Sequence, residues 1–452
     1  MSEAFNFVLK CVGCGREYEP EPARFVCDSC ATETHDGVLV HSGLLTVCFG
    51  ASHPPSAVTD NGDMPGAGMW RYGQCLPVPR GHPVVSLGEG GTPLLRCRGL
   101  GDVLSLTGLH LKLEHINPTG GFKDRESSVA VTMATLFGAR TVACASTGTL
   151  AASLAAYASR GGLQCFVFVP ETTPAEKTIQ MAVAGAVVVR VKGIYERALA
   201  LQIEACGEYG WYMCSSALNP YRMEGDKTIA FEICEQLGWI APDWVVVPTG
   251  GGGNLAGEWR GFKELFEMGL IAHLPRMVSV GVAAGAPLVK ALETHSEHVA
   301  VGPVGETVAA PLLSAYADYG DLALLAVRES NGFALAVDDE ELLAAQRLLA
   351  RTEGIFAEPA GVAGVAALRR LSLEGVVESR DTAVCVITGE GLHDLDSARY
   401  LARGEDAINP DLASLDTFLS LSCHLPEEEA STFRRLKQSP GLLPGSVESP
   451  FP

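Results

Sequence analysis

Short strand-like segments alternate with longer amphipathic segments over most of the chain. The strand-like segments are 109–113, 141–145, 165–169, 187–191, 244–247, 278–282 and 382–387. The helix-like segments in the first half are 124–138, 150–160, 174–184 and 195–209. Apolar strands that alternate with helices are typical of a mainly parallel sheet covered on both faces. The pattern therefore predicts an α/β fold.

The pattern weakens toward both ends of the chain. The Gly- and Pro-rich passage 53–81 predicts an irregular connection. Beyond Tyr400 only 411–421 predicts a further helix. The segment 438–452 contains four prolines and two glycines, so we expect it to be disordered.

The composition narrows the class of protein. A chain of 452 residues is expected to form two or three domains, and 47% hydrophobic residues supply their cores. The formal net charge of −20 would repel nucleic-acid phosphates and acidic lipids. We find neither a secretory start nor an uncharged apolar run of the roughly 18 residues that span a membrane. We therefore expect a soluble cytoplasmic protein that binds neither nucleic acid nor a membrane.

Four cysteines near the start form a C-x2-C-x12-C-x2-C array. They are Cys11, Cys14, Cys27 and Cys30. Two such knuckles can hold one zinc ion in a tetrahedron of thiolates. The alternatives are four reduced thiols in a small hairpin, or a ribbon that no longer holds metal. Because Lys and Arg are sparse here, a structural clip is favoured over a DNA-reading module.

Two loops between predicted strands and helices carry candidate chemistry. In 117–125, Asn-Pro-Thr-Gly-Gly-Phe-Lys-Asp-Arg, the amine of Lys123 could form a Schiff base with an aldehyde. The alternative is an ordinary surface lysine at a helix start. In 146–149, Ser-Thr-Gly-Thr, hydroxyls and free N–H groups could bind a carboxylate or simply cap a helix.

Four consecutive glycines at 250–253, followed by Asn254, carry the strongest signal. Bare N–H groups at a strand-to-helix turn can wrap a phosphate without a basic side chain, and a purely structural loop rarely needs four glycines. A further loop, 388–391, begins with Thr388 at the end of a predicted strand, where ligands bind in such folds. The alternative there is an ordinary turn.

In combination these loops resemble threonine synthase and its relatives, within the tryptophan-synthase-β type of pyridoxal-phosphate enzymes. The resemblance covers about 11–394 and includes two more motifs, Gly-Glu-Gly-Gly-Thr-Pro-Leu at 88–94 and Asn-Pro-Tyr-Arg-Met-Glu-Gly-Asp-Lys-Thr at 219–228. It implies fold type II, with two doubly wound, mainly parallel sheet domains after an N-terminal cysteine ribbon. The implied domains are a ribbon (1–45), a large cofactor-binding domain (82–125 and 225–403), an inserted substrate domain (126–224) and a partly disordered extension (404–452).

The resemblance also implies roles for individual residues. Lys123 would carry pyridoxal phosphate and, once free, remove the Cα proton as a general base. The implied cofactor-binding residues are Phe122, Lys123, Thr149, Gly250, Gly251, Gly252, Gly253, Asn254 and Thr388. The implied substrate-binding residues are Ser146, Thr147 and Gly148 for the carboxylate, and Arg222 for a phosphate of the substrate.

The chain departs from the family at several of these positions. Thr149 stands where the family usually has Asn, Gly121 where it has Ser, and Glu126 where it has Gly. The pair Ser216-Ala217 replaces an Asn-Ser pair that helps to hold the substrate phosphate in the family. These changes leave the identity of the substrate open.

The resemblance implies a lyase or synthase of amino-acid biosynthesis that eliminates or replaces a leaving group, expected to be phosphate, on a small amino acid. Phosphohomoserine and water would give threonine. The alternative is β-replacement on O-phosphoserine with sulfite or another nucleophile, as in relatives similar to cysteate synthase. Two further hypotheses are a non-catalytic relative that binds a partner through its ribbon and a nucleic-acid-binding ribbon. Because related enzymes are often dimers, we expect a homodimer.

Overall fold

The computed structural model describes residues 5–30, 32–35, 38–41, 43–50, 53–59, 68–215, 218–402 and 407–422. Its strands are β1 Phe7–Cys11, β2 Glu17–Tyr18, β3 Thr32–His35, β4 Val38–His41, β5 Leu45–Phe49, β6 Leu94–Arg96, β7 Gly108–Lys112, β8 Thr141–Ala145, β9 Gln164–Pro170, β10 Val187–Val191, β11 Tyr212–Met213, β12 Trp244–Pro248, β13 Arg276–Val282, β14 Phe333–Val337 and β15 Thr382–Val386. Its α-helices are α1 Ser56–Thr59, α2 Gly99–Leu104, α3 Lys123–Leu136, α4 Thr149–Gly161, α5 Ala175–Val183, α6 Tyr195–Tyr209, α7 Arg222–Gln236, α8 Gly253–Glu267, α9 Pro287–Glu293, α10 Gly320–Glu329, α11 Asp339–Glu353, α12 Ala363–Leu373, α13 Leu395–Leu401 and α14 Leu412–Ser422. Short 3₁₀ helices lie at Gly68–Cys75, Glu114–Ile116, Ala310–Leu312, Ala360–Val362 and Gly391–His393.

The larger sheet has the strand order β14-β13-β12-β15-β7-β6. Its strands are parallel except for the edge strand β6, which pairs antiparallel with β7. Successive residues of β12 belong to different cores, since Val246 packs in one and Val245 and Val247 in another. Side chains alternate between the two faces of a strand, so both faces of this sheet are covered.

The smaller sheet has the strand order β10-β9-β8-β11, and all its pairs are parallel. Helices α3 to α6 accompany its strands along the chain. Together the two sheets make the doubly wound α/β architecture that the sequence predicted, and this fold class is confirmed.

The N-terminal strands form two small antiparallel sheets, β2-β1-β5 and β3-β4. Aromatic contacts join this part to the smaller sheet and its helices. Phe7 lies 6.1 Å from Tyr221 and Phe25 lies 5.4 Å from Tyr212, ring centre to ring centre. The cysteine ribbon is therefore packed into the same hydrophobic core as the smaller sheet.

The predicted strands and helices between 109 and 209 are present, with ends shifted by at most two residues. The passage 53–81 was predicted to be irregular, and this is wrong for its 3₁₀ helix Gly68–Cys75. That helix buries Trp70 and Tyr72, so apolar side chains order the backbone despite the neighbouring glycines and prolines. The predicted disorder at 438–452 lies outside the described residues.

The chain divides into two compact units, Met1–Leu401 and Ala402–Pro452. In the second unit, Asp411 caps helix α14 by accepting a hydrogen bond from the Ser414 N–H at 2.8 Å. This helix confirms the predicted segment 411–421 with a shift of one residue. Among the described helices, we find none with the length and apolar character needed to cross a membrane.

Candidate active site

Four of the predicted site segments lie at the starts of helices. Helix α3 begins at Lys123, α4 at Thr149, α7 at Arg222 and α8 at Gly253. Each helix follows a parallel strand, so its start lies toward the carboxyl edge of a sheet. The first N–H groups of a helix have no partner within the helix and carry partial positive charge. These starts therefore suit a ligand with anionic groups.

The turn before Lys123 is fixed by the carboxylate of Asp124. This carboxylate accepts hydrogen bonds from the Thr119 N–H at 2.7 Å and from the Ser153 hydroxyl at 2.6 Å. Thr119 belongs to the same loop and Ser153 to α4. The start of α3 is therefore held to its own loop and to the neighbouring helix.

Three predicted loops meet at Gly121. The Phe122 N–H donates to the Thr388 carbonyl oxygen at 3.2 Å. A Cβ atom on Gly121 would lie 3.1 Å from the same oxygen and 3.9 Å from Thr149 Cγ2. The loops that carry Lys123, Thr149 and Thr388 are therefore adjacent, as the resemblance implied.

The amine of Lys123 lies in a cluster of buried charges. Its Nζ is 2.5 Å from Glu126 Oε1 and 4.4 Å from the centre of the Phe122 ring. The other carboxylate oxygen of Glu126 pairs with Arg222. Burial lowers the pKa of the Lys123 amine to about 7; Arg222 lowers it too, whereas Asp226 opposes the shift. Such an amine is partly uncharged at neutral pH, as attack on an aldehyde and removal of a proton require.

The glycines at 250–253 form a cradle that leaves no room for a side chain at Gly250 or Gly252. Gly252 has φ of +90°, and a Cβ atom there would lie 2.8 Å from the Tyr319 carbonyl oxygen. A Cβ atom on Gly250 would lie 2.9 Å from the Pro311 carbonyl oxygen. The Tyr319 N–H donates to the Gly251 carbonyl oxygen at 2.8 Å, which fixes the turn.

Asn254 follows this cradle and has unmet hydrogen-bonding capacity. It is buried, and neither atom of its side-chain amide has a hydrogen-bond partner among the described residues. An unpaired buried amide is costly, which points to a ligand that completes it. Bare N–H groups at a helix start beside an unpaired amide fit the phosphate of pyridoxal phosphate.

Arg222 contacts Glu126, the partner of Lys123, and lies near Tyr319, which packs on the glycine cradle. Its Nη1 donates to the Cys214 carbonyl oxygen at 2.5 Å, and burial lowers the pKa of its guanidinium to about 10. The Tyr319 hydroxyl, from the residue that packs on the cradle, donates to the Asn219 carbonyl oxygen at 3.4 Å. Arg222 Nε has no partner in the part of the chain that the structure describes.

The loop 146–149 lies at the start of α4 and is half-buried, so a small ligand can reach it. The Gly148 N–H donates to the Ser146 hydroxyl at 3.3 Å, and the Gly148 carbonyl oxygen accepts from the Ala151 N–H at 3.0 Å. Thr147 lies between them at the tip. The pair at 216 and 217, predicted to affect phosphate binding, lies outside the described residues.

Three buried carboxyl groups near these loops escaped the sequence analysis. Burial raises the pKa of Asp226 to about 7, that of Asp318 to about 7 and that of Glu358 to about 8. Asp226 could have been found, because it follows Arg222 by one helical turn on α7. Asp318 and Glu358 lie on loops whose sequence carries no such pattern.

The ribbon thiols of Cys11, Cys14, Cys27 and Cys30 converge, with all four Sγ atoms within 4.8 Å of one another. Tetrahedral zinc with Zn–S bonds of about 2.3 Å would separate its sulfurs by roughly 3.8 Å, so the set fits zinc. A Cβ atom on Gly43 would lie 2.8 Å from Cys30 Cβ and 3.0 Å from Cys27 Cβ, so the second knuckle leaves no room for a side chain at this position.

The fold and the site together define a class of enzyme. Residues 85–389 match the model of the family described as pyridoxal-phosphate dependent enzyme. The chain belongs to this family, and pyridoxal phosphate is its cofactor.

Two proteins with about 40% sequence identity to the chain show which subfamily it belongs to. The threonine synthase of Methanocaldococcus jannaschii is 40% identical over 391 residues, which cover 86% of this chain and 93% of that protein. The threonine synthase of Methanosarcina acetivorans is 39% identical over 388 residues, covering 85% and 92%. The chain is therefore a member of the threonine synthase-like family, whose enzymes are pyridoxal-phosphate-dependent lyases of amino-acid biosynthesis.

Solved structures agree on the fold. Maize serine racemase has a TM-score of 0.59 at 20% identity and covers 75% of this chain and 93% of its own. O-ureido-L-serine synthase has a TM-score of 0.60 at 20% identity, covering 73% and 96%. These similarities show fold type II, as predicted, and are too distant to show a shared reaction.

Proposed function

We propose that the protein eliminates or replaces a leaving group on the side chain of a small amino acid, with Lys123 as the catalytic base. The observation that carries the proposal is the position of the partly buried Lys123 amine beside the Thr149 and Thr388 loops, where burial lowers its pKa to about 7. When bound, pyridoxal phosphate draws electrons from the Cα of an amino acid and so makes the Cα proton acidic. Lys123 Nζ takes that proton and holds it while the leaving group departs.

The other predicted residues have positioning roles in this proposal. The N–H groups of 250–253 and the Asn254 amide hold the cofactor phosphate, and the Thr388 hydroxyl holds the ring nitrogen. Phe122 and Thr149 border the ring, Thr149 through its hydroxyl. The start of α4 binds the substrate carboxylate through Ser146, Thr147 and Gly148.

Two phosphorylated substrates follow from the relatives and from Arg222. The first is phosphohomoserine, because the most similar relatives above are threonine synthases. The alternative is O-phosphoserine, on which sulfite or another nucleophile would replace phosphate. In both reactions Arg222, buried at the start of α7, is the cation that would bind the departing phosphate.

A panel of amino acids tests this proposal. The protein loaded with cofactor is mixed separately with O-phospho-L-homoserine, O-phospho-L-serine, O-acetyl-L-serine and L-serine, with and without sulfite. The visible spectrum, free phosphate and amino-acid products are recorded, and cofactor-free protein is the control. We expect at least one amino acid to change the spectrum and lose its leaving group. A cofactor-loaded protein whose spectrum responds to none of them would contradict the proposal.

We also propose that the ribbon holds a structural zinc ion through Cys11, Cys14, Cys27 and Cys30, and that the protein is a homodimer. The thiol geometry supports the zinc. Metal analysis should find about one zinc per chain in the wild type and none in a Cys11→Ser, Cys27→Ser double variant. Sedimentation of the purified protein tests the dimer.

A further inference from the structure

Glu126 places a buried negative charge between the two cations of the site. Its carboxylate contacts Lys123 Nζ at 2.5 Å through one oxygen and Arg222 through the other. The Glu126 side chain is only 3% exposed and that of Arg222 only 2%. A residue without a side chain at this position would leave both cations without this partner.

This carboxylate competes directly with an anionic leaving group. Glu126 belongs to α3 and Arg222 to α7, so its charge stays near Arg222 as long as the two helices pack together. A phosphate that approached Arg222 would have to displace Glu126 or lie beside it, and like charges that share a buried site repel each other. Asp226, one helical turn after Arg222, is a second acidic group near the same guanidinium.

An uncharged leaving group meets no such competitor. Arg222 Nε has no partner among the described residues, so it remains available to donate to a neutral oxygen. Its positive charge, already balanced by Glu126, needs no anion from the substrate.

We infer, on the basis of the proposed function, that Glu126 makes this site selective for amino acids whose leaving group carries no charge when the substrate binds, either a hydroxyl or a carboxylic ester. The phosphorylated amino acids named above can still bind at Arg222, but they bind more weakly than these uncharged ones. Glu126 acts as a specificity-determining residue because it occupies the anion-binding side of Arg222.

Amino acids with these leaving groups can undergo the proposed elimination. Lys123 Nζ takes the Cα proton, the electron pair of that C–H bond forms a double bond between Cα and Cβ, and the bond between Cβ and its oxygen breaks. The electron pair of that bond leaves with the oxygen. An ester departs as a carboxylate anion, whereas a hydroxyl must gain a proton to depart as water, and the proton held on Lys123 can supply it.

The test compares wild-type holoenzyme with Glu126→Gly, which removes the side chain, and Glu126→Gln, which keeps its size and removes the charge. Calorimetry measures the binding of inorganic phosphate, and spectral titration measures the binding of O-phospho-L-serine, O-phospho-L-homoserine, O-acetyl-L-serine and L-serine. In the wild type we expect the neutral amino acids to bind at least about tenfold more tightly than the phosphorylated ones. In both variants, phosphate and the phosphorylated amino acids should bind about tenfold more tightly than in the wild type.

A matched control is Glu264→Gln, which neutralises another buried carboxylate shared by two cations, Lys227 and Arg260. It should change thermal stability without changing the preference among leaving groups. Cofactor content and thermal unfolding show whether each variant is folded, and either Glu126 variant alone suffices for the comparison.

The outcomes separate the two proposals. If no amino acid changes the wild-type spectrum, the proposed function fails. If a phosphorylated amino acid binds the wild type as tightly as the neutral ones, or if neither folded Glu126 variant gains affinity for phosphate, the inference about Glu126 is overturned while the proposed function stands.

Discussion

Two clusters of buried charge share the first turn of α3, and they differ in how fully their polar atoms are paired. In the closed cluster, Arg125 donates to Glu114 at 2.7 Å, to Glu232 at 2.8 Å and to Thr228 at 2.9 Å, while Lys112 donates to Glu232 at 2.7 Å. In the open cluster, formed by Lys123, Glu126, Arg222, Asp226 and Asn254, several polar atoms have no partner among the described residues.

The degree of pairing distinguishes a structural cluster from a candidate ligand-binding cluster. A buried network in which each charge has its partners rigidifies the helices that carry it. A buried network with unpaired atoms is costly to fold and is retained where a ligand completes it. Neighbouring residues of one helix turn thus differ in role, with Arg125 tying α3 to α7 and Lys123 lying in the proposed ligand site.

The largest expected effect comes from removing the lysine of the open cluster. Lys123→Ala should reduce turnover by about 10³-fold or more, because it removes both the cofactor's attachment point and the base. It should leave the free energy of unfolding within about 1 kcal/mol of the wild type, since burial already disfavours the charged amine. Turnover assays and urea unfolding check this, with the exposed Lys192→Ala as control. Substantial turnover in Lys123→Ala would mean that another residue acts as the base.

The next largest effect should come from the closed cluster and should fall on stability. Arg125→Met leaves Glu114 and Glu232 buried without their main cation, which should cost about 3–5 kcal/mol of unfolding free energy. Arg222→Met should cost clearly less, because its network is already incomplete. Urea unfolding of both variants, free of cofactor, makes the comparison. Equal losses of unfolding free energy in the two variants would contradict the proposed difference between the clusters.

A smaller effect should follow from filling the glycine cradle. Gly252→Ala adds a Cβ at φ of +90° and 2.8 Å from a carbonyl oxygen. The strain of about 1–2 kcal/mol should weaken cofactor binding roughly tenfold. Gly207→Ala, on α6 and with open space around the added Cβ, is the control and should bind cofactor normally. Unchanged cofactor affinity in Gly252→Ala would show that the cofactor phosphate does not bind at this loop.

The smallest effect is a shift in pH dependence. Only the uncharged Lys123 amine attacks an aldehyde, and its pKa is lowered to about 7. The rate of cofactor attachment to the apoprotein should therefore rise with pH through about 7 and level off above it. Glu126→Gln removes an anion that favours the charged amine, so its midpoint should lie at lower pH. A midpoint near the ordinary lysine value of about 10.4 would contradict the desolvated site.

The strands and most helices were predictable because their apolar runs are buried on both faces. The edge strands β6 and β14 were not predicted. Strand β6 has only three residues, too few to show a periodic pattern. Strand β14 was missed although its sequence, Phe-Ala-Leu-Ala-Val, is apolar throughout.

The site was predictable where chemistry depends on local sequence. Lys123 at a helix start and the glycines at 250–253 can be recognised from a few adjacent residues. The role of Glu126 could not, because its partner Arg222 lies far along the chain and the two meet only when α3 packs on α7. The sequence analysis could note that Glu126 departs from the family pattern. Its contact with Arg222 is seen only in the structure.

Reductive trapping tests the central claim, that the open cluster is the cofactor site, most directly. Holoenzyme is treated with borohydride, which reduces a Schiff base to a stable amine, and the digested protein is mapped by mass spectrometry. We predict a single modified lysine, Lys123, and no modification in the wild type stripped of cofactor. A modified lysine elsewhere, or a cofactor-loaded protein with no modified lysine, would contradict this assignment.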